Sequence, residues 1–154
     1  MAKDFDKALG YAFLLLKYRA RSKKEIIDRL KRKGYPPSST DKVIAYLQEY
    51  NYLNDEEFAR MFVSSSLEKG WGPRRIKFEF KKLGVGPKIF ERFLATRDFK
   101  DKKKEKIHQL IERKIQFYKG KKNSTQKIIR FLVGKGFEYD EIFKALDELG
   151  VKRF

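Results

Sequence analysis

Basic side chains are the residues of this chain whose number and spacing could do chemistry. Thirty-eight Lys and Arg stand against 21 Asp and Glu, a net charge of +17. An excess of that size meets something acidic: nucleic acid, an anionic membrane or an acidic protein groove. The cations fall into three groups. Arg19, Arg21, Lys24, Arg29, Lys31 and Arg32 form the first. Arg74, Arg75, Lys77, Lys81 and Lys82 form the second, and Lys121, Lys122, Lys127 and Arg130 the third. Any single Lys is most simply a solvated surface residue. The recurrence of the group along the chain is what argues for a binding role. Trp71 and Phe78 stand beside the second group, outside the apolar pattern around them. They are candidate aromatic anchors for a partner; the alternative is packing against a neighbouring unit.

Other chemistry finds little support. Asp55-Glu56-Glu57 could suggest a metal or acid–base cluster, but acids at a helix start are explained by the macrodipole. Ser64-Ser65-Ser66 has no base to activate it. His108 is the only imidazole and follows the apolar position Ile107. With no Cys and no second His at ligand spacing, it reads as a surface residue. Gly84-Val85-Gly86 is a helix end and turn, and no phosphate loop or dinucleotide fingerprint occurs. The expectation is a protein with no catalytic residue, no metal and no cofactor.

The basic groups must be positioned by helices, and these repeat. Ile26, Leu30, Gly34 and Tyr35 recur as Ile76, Phe80, Gly84 and Val85, and again as Ile128, Leu132, Gly136 and Phe137. Each glycine stands where a helix ends in a left-handed residue, with an apolar residue after it to fold back on the last turn. Ser22, Gly72 and Ser124 occupy the helix-capping position before each segment. Further helices flank each one. Phe5, Ala8, Leu9, Ala12, Phe13 and Leu16 share one face of a first helix. After a loop at Pro36-Pro37-Ser38-Ser39-Thr40, a helix over about 40–50 carries Val43, Ile44 and Leu47. The second unit predicts helices over about 55–69, 73–83 and 87–95. The third predicts them over about 101–118, 125–135 and 139–149. Nothing shows the alternation of a half-buried strand.

The fold class is therefore all-α: three tandem three-helix repeats over residues 1–53, 54–97 and 98–154, forming an elongated array that can curve. A unit of about fifty residues buries a marginal core, so neighbours are expected to share buried surface. Twelve basic residues face six acidic ones over 1–54, ten face six over 55–97, and sixteen face nine over 98–154. The excess lies on the second helices and their flanks, so stacked repeats would carry a basic stripe suited to a long polyanion. The last helix, with Glu138, Asp140, Glu141, Asp147 and Glu148, is acidic and unsuited to phosphate. No run of 18 apolar residues and no signal-peptide core occurs, so a cytoplasmic protein without membrane contact is expected.

The junction Tyr52-Leu53-Asn54-Asp55-Glu56-Glu57-Phe58-Ala59 closes one unit and opens the next. It resembles the best-known motif of the RecX family, regulators of the RecA recombinase. Arg19-Ala20-Arg21-Ser22-Lys23-Lys24-Glu25 with Gly34-Tyr35 resembles the family's first segment. Gly72-Pro73-Arg74-Arg75-Ile76 with Glu79, Phe80 and Gly84-Val85 resembles its second. Gly136-Phe137, Asp140-Glu141-Ile142 and Ala145-Leu146 resemble its third. Phe78 departs from the family, which has a polar residue there. The resemblance implies a tandem three-helix repeat fold and a cytoplasmic, non-enzymatic protein that binds in the groove of the RecA–single-stranded DNA filament; a monomer is expected. There it would lower ATP hydrolysis and strand exchange. The competing class is a sequence-tolerant DNA-binding protein of homeodomain-like units.

Overall fold

A computed structural model describes residues 2–152, and the described residues form helices joined by turns, with no strand. The helices are α1 (Ala2–Tyr18), α2 (Lys23–Lys33), α3 (Pro37–Glu49), α4 (Asp55–Glu68), α5 (Pro73–Lys81), α6 (Pro87–Leu94), α7 (Arg97–Phe117), α8 (Ser124–Gly134) and α9 (Tyr139–Glu148). The fold is all-α with tandem three-helix repeats. Two helix starts differ by more than one residue from those read in the sequence. α3 starts at Pro37, inside the expected loop, because a proline fits the first helical position where its missing N–H costs nothing. α7 starts at Arg97, four residues early, because the Thr96 side chain caps it by accepting from the Phe99 N–H.

The chain forms two compact units. One joins Met1–Met61 with Phe80–Ile89; the other joins Phe62–Glu79 with Phe90–Phe154. The core of the first unit is built from Ala8, Ala12 and Leu15 of α1, Ile26 and Leu30 of α2, and Val43, Ile44 and Leu47 of α3, closed by Leu53. In the second, Ile107, Leu110 and Ile111 of α7 meet Ile128 and Leu132 of α8 and Ile142, Ala145 and Leu146 of α9, with Phe137 buried among them. The 3.6-residue periodicity places these positions on one face of each helix; on α1 the buried residue is Leu15, one turn on from Ala12, while Leu16, expected on that face, is half-buried at its edge.

The repeated glycines do two jobs. Gly34, Gly84 and Gly136 all have positive φ (100°, 73° and 102°). After Gly34 and Gly136 the next N–H reaches back five residues, Tyr35 to the Leu30 carbonyl and Phe137 to that of Leu132, both at 3.1 Å. This is the helix-ending bond that a left-handed glycine permits. The same turns also dock. Within the first unit, Ser22 Oγ donates to the Leu83 carbonyl at 2.8 Å. The Lys24 side chain there lies so close to Gly84 that a Cβ would collide with it. Within the second, the Gly72 N–H donates to the Lys135 carbonyl at 2.7 Å and the Arg74 N–H to that of Gly136 at 3.0 Å. A Cβ on Gly72 would strike the Gly136 backbone, and one on Gly136 would strike Arg75. Each time, the glycine turn of a later repeat sits on the first turn of the preceding repeat's second helix.

The capping positions divide. Ser22 makes a full capping box with Glu25. Ser124 is not a cap. The N-cap of α8 is Asn123, left-handed at φ 56° and without a side-chain bond. The reason lies in the loop, where Gly120 and Asn123 both take positive φ and turn the chain so tightly that the helix begins at Ser124.

Candidate functional site

The junction motif positions two helix starts. Asn54 Oδ1 accepts from the Glu57 N–H at 3.0 Å and so caps α4. Asp55 Oδ1 accepts from the Lys23 N–H at 2.9 Å, at the first turn of α2. Glu57 does not reach back to complete a box; it pairs with Arg60. Asp55 thus serves the start of α2 and Glu57 an ion pair along α4, and among the described residues no three His, Cys, Asp or Glu side chains are grouped to hold a metal.

That start of α2 carries the first basic group. Arg19 pairs with Glu25 at 2.5 Å, and Arg21 reaches the same carboxylate at 3.8 Å with its side chain only 13% exposed. Arg29 is half-buried beside them. The Nε atoms of Arg21 and Arg29 are buried and have no hydrogen-bond partner. Burial first, then the charge of Arg19 and that of Arg29, hold the Arg21 guanidinium below its ordinary range; Glu25 acts the other way. Arg19 and Arg21 share the one Glu25 carboxylate and Arg29 adds a third positive charge beside Arg21, so the group keeps a net positive charge. Lys24, Lys31 and Arg32 are exposed around them.

The second group lies on α5. Arg74, Arg75, Lys77, Lys81 and Lys82 are all exposed. Arg74 is 3.8 Å from Glu138 in an exposed ion pair. Trp71 is half-buried, with the Arg75 guanidinium 4.3 Å and the Lys69 ammonium 5.4 Å from its ring centre. Phe78 is 62% exposed. The two candidate anchors therefore differ: Trp71 is half-buried under its own unit's cations, while Phe78 is mostly exposed.

In the third group, Lys121, Lys122 and Arg130 are exposed and Lys127 is half-buried. Lys121 and Lys127 lie 5.8 and 5.7 Å from the Tyr118 ring. The structure adds residues that the charge pattern does not single out, Lys114, Phe117 and Phe131, and sets Lys135 of the basic excess beside Phe131. Lys114, Phe117, Tyr118 and Lys121 stand at i, i+3, i+4 and i+7, a spacing that could have placed them together.

The acidic last helix also has a partner within its unit. Lys103 pairs with Glu141 and Lys104 with Glu148, each at 2.8 Å. His108, expected at the surface, is half-buried with Nε2 3.6 Å from Glu148. That carboxylate comes from forty residues along the chain, out of reach of any local spacing rule. Glu148 is held below the ordinary carboxylate range by the Lys104 hydrogen bond and charge, against the effect of desolvation.

These features define a tandem three-helix-repeat protein with basic second helices. Three family models match it in order: the first RecX three-helix domain over residues 8–47, the second over 54–94 and the third over 101–146. The chain belongs to the RecX family. The regulatory protein RecX of Caldanaerobacter subterraneus subsp. tengcongensis is 33% identical over 141 residues, covering 92% of this chain and 70% of its own length. That of Bacillus subtilis is 34% identical over 152 residues, and the chain spans 55% of its length. The crystal structure of RecX from Lactobacillus salivarius superposes with a TM-score of 0.82 at 28% identity, over 97% of this chain and 99% of that one.

Proposed function

We propose that the protein is a non-enzymatic inhibitor of RecA, bound in the groove of the RecA–single-stranded DNA filament and lowering its ATPase and strand exchange. The observation that carries this reading is the set of three RecX domains in the family order. The basic second helices support it: a filament groove offers acidic protein surface and DNA phosphate, and both attract a repeated set of cations. A cytoplasmic, monomeric regulator is the form in which such a protein would work.

The test is the ATPase rate of RecA from the same source on single-stranded DNA, with this protein added at substoichiometric amounts. An unrelated protein of similar charge at matched salt is the control. Strong inhibition by this chain alone is expected. An equal effect of both, or none, would remove the recombinase from the account and leave sequence-tolerant DNA binding.

A further inference from the structure

The end of α7 and the loop after it gather three aromatic rings among four ammonium groups. Phe117 is 61% exposed, although a ring of that size normally contributes to a core. Tyr118 stands edge-on to it, ring centres 5.0 Å apart at 82°. Lys114 and Lys121 lie 4.9 and 4.6 Å from the Phe117 ring centre. Lys127 is against Tyr118, and Phe131 sits between Lys114 at 4.1 Å and Lys135 at 5.5 Å. Among the described residues none of these four lysines has a carboxylate within ion-pair distance, whereas Lys103 and Lys104 on the same helix are both paired. The charge of the cluster is therefore uncompensated, and its largest apolar surface faces water.

We infer that this cluster is a stacking platform for an unpaired base of single-stranded nucleic acid, with Lys114, Lys121 and Lys127 meeting the flanking phosphates. The proposal rests on the reading of the third basic group as a DNA contact and gives that group a specificity. An aromatic face accepts any base, while a positively charged groove follows the backbone. Duplex DNA keeps its base faces stacked, so it could use the lysines but not the Phe117 ring. An acidic peptide would use the charge and have no flat ring system of matching size. A base arriving on Phe117 displaces an exposed lysine ammonium, which then meets phosphate. Base–aromatic stacking outweighs an exposed cation–π contact, so the exchange is favourable.

The test uses the full chain without RecA, so its failure leaves the ATPase assay to judge the recombinase reading separately. Binding of a labelled oligothymidylate of about 15 nucleotides, and of a duplex of equal length, is followed by anisotropy over a range of salt. Phe117→Ala should weaken single-strand binding roughly ten-fold. Duplex binding and salt slope should stay unchanged, since the ring is exposed and carries no charge. Lys114→Gln with Lys121→Gln and Lys127→Gln should reduce the slope of log affinity on log salt by about 2, at about 0.7 per phosphate. Phe117→Trp should bind like the parent and show emission quenching on adding the oligonucleotide, beyond that of Trp71 in the parent. Unchanged single-strand affinity in Phe117→Ala, an equal loss for single strand and duplex, or an unquenched Phe117→Trp would each overturn the platform. So would polyglutamate displacing the oligonucleotide equally well from the parent and from Phe117→Ala.

Discussion

A single Cβ separates the roles of the repeated glycines. Gly34 has a left-handed φ and open space around its Cβ position, so Gly34→Ala should cost only the conformational strain, about 1–2 kcal/mol. Gly136 has the same φ, but a Cβ there meets the Arg75 backbone. Gly136→Ala should cost about 2–5 kcal/mol, strain plus overpacking. Gly72 needs no left-handed angle, yet its Cβ would strike the Gly136 carbonyl. Gly72→Ala should therefore also destabilise the chain by more than Gly34→Ala. Urea unfolding of the three variants gives the order directly. Equal costs at Gly34 and Gly136 would mean that the glycine turn does not dock in solution. The left-handed turns were legible in the sequence, because a helix-ending glycine followed by an apolar residue is a local pattern. The docking was not, since the colliding backbones are about sixty residues apart.

Helix starts are where one element fastens another. Ser22 accepts from the Glu25 N–H and donates to the Leu83 carbonyl. Asn54 caps α4 at an exposed site. Ser22→Ala should cost about 1–2 kcal/mol and Asn54→Ala less, because only the first leaves a distant carbonyl without its donor. The order of the two thermal midpoints checks this. Between α7 and α9 the fastening is ionic and depends on pH. Glu148 has its folded-state pKa depressed below the ordinary 4.5, chiefly by the Lys104 hydrogen bond. Its contribution is therefore present above the unfolded value and lost as pH falls through the folded one. Lys104→Gln should melt below the parent at neutral pH, and the gap should close on acidification below 4.5. A gap that persisted in acid would assign the loss to packing of the Lys104 stem rather than to charge.

At the scale of the whole molecule, the prediction concerns charge. Lys77, Lys81, Lys121 and Lys122 are exposed and have no carboxylate partner among the described ion pairs. Changing all four to Glu lowers the net charge by about eight while sparing the Arg74–Glu138 pair, the Trp71 contacts and every buried core residue. Helicity and unfolding midpoint should stay near those of the parent, as the changes leave both cores untouched and remove only the exposed contacts of Lys121 with Phe117 and Tyr118. Inhibition of the RecA ATPase should be lost. A folded quadruple variant that inhibits like the parent would refute the part given to the basic stripe.

Sequence alone determined the all-α class, the three repeats and the core faces, because period, glycine and cap are encoded within a few residues of one another. It also located the basic groups, since their recurrence follows the same period. Tertiary structure decided which charges are spent within the molecule. Lys103 and Lys104 neutralise Glu141 and Glu148 across helices, and Arg19 and Arg21 share the Glu25 carboxylate. It also decided that Trp71 lies under Arg75 while Phe117 stands exposed among lysines. Charge compensation depends on distance through space. The residues that set it here lie tens of positions apart, where no local spacing rule reaches.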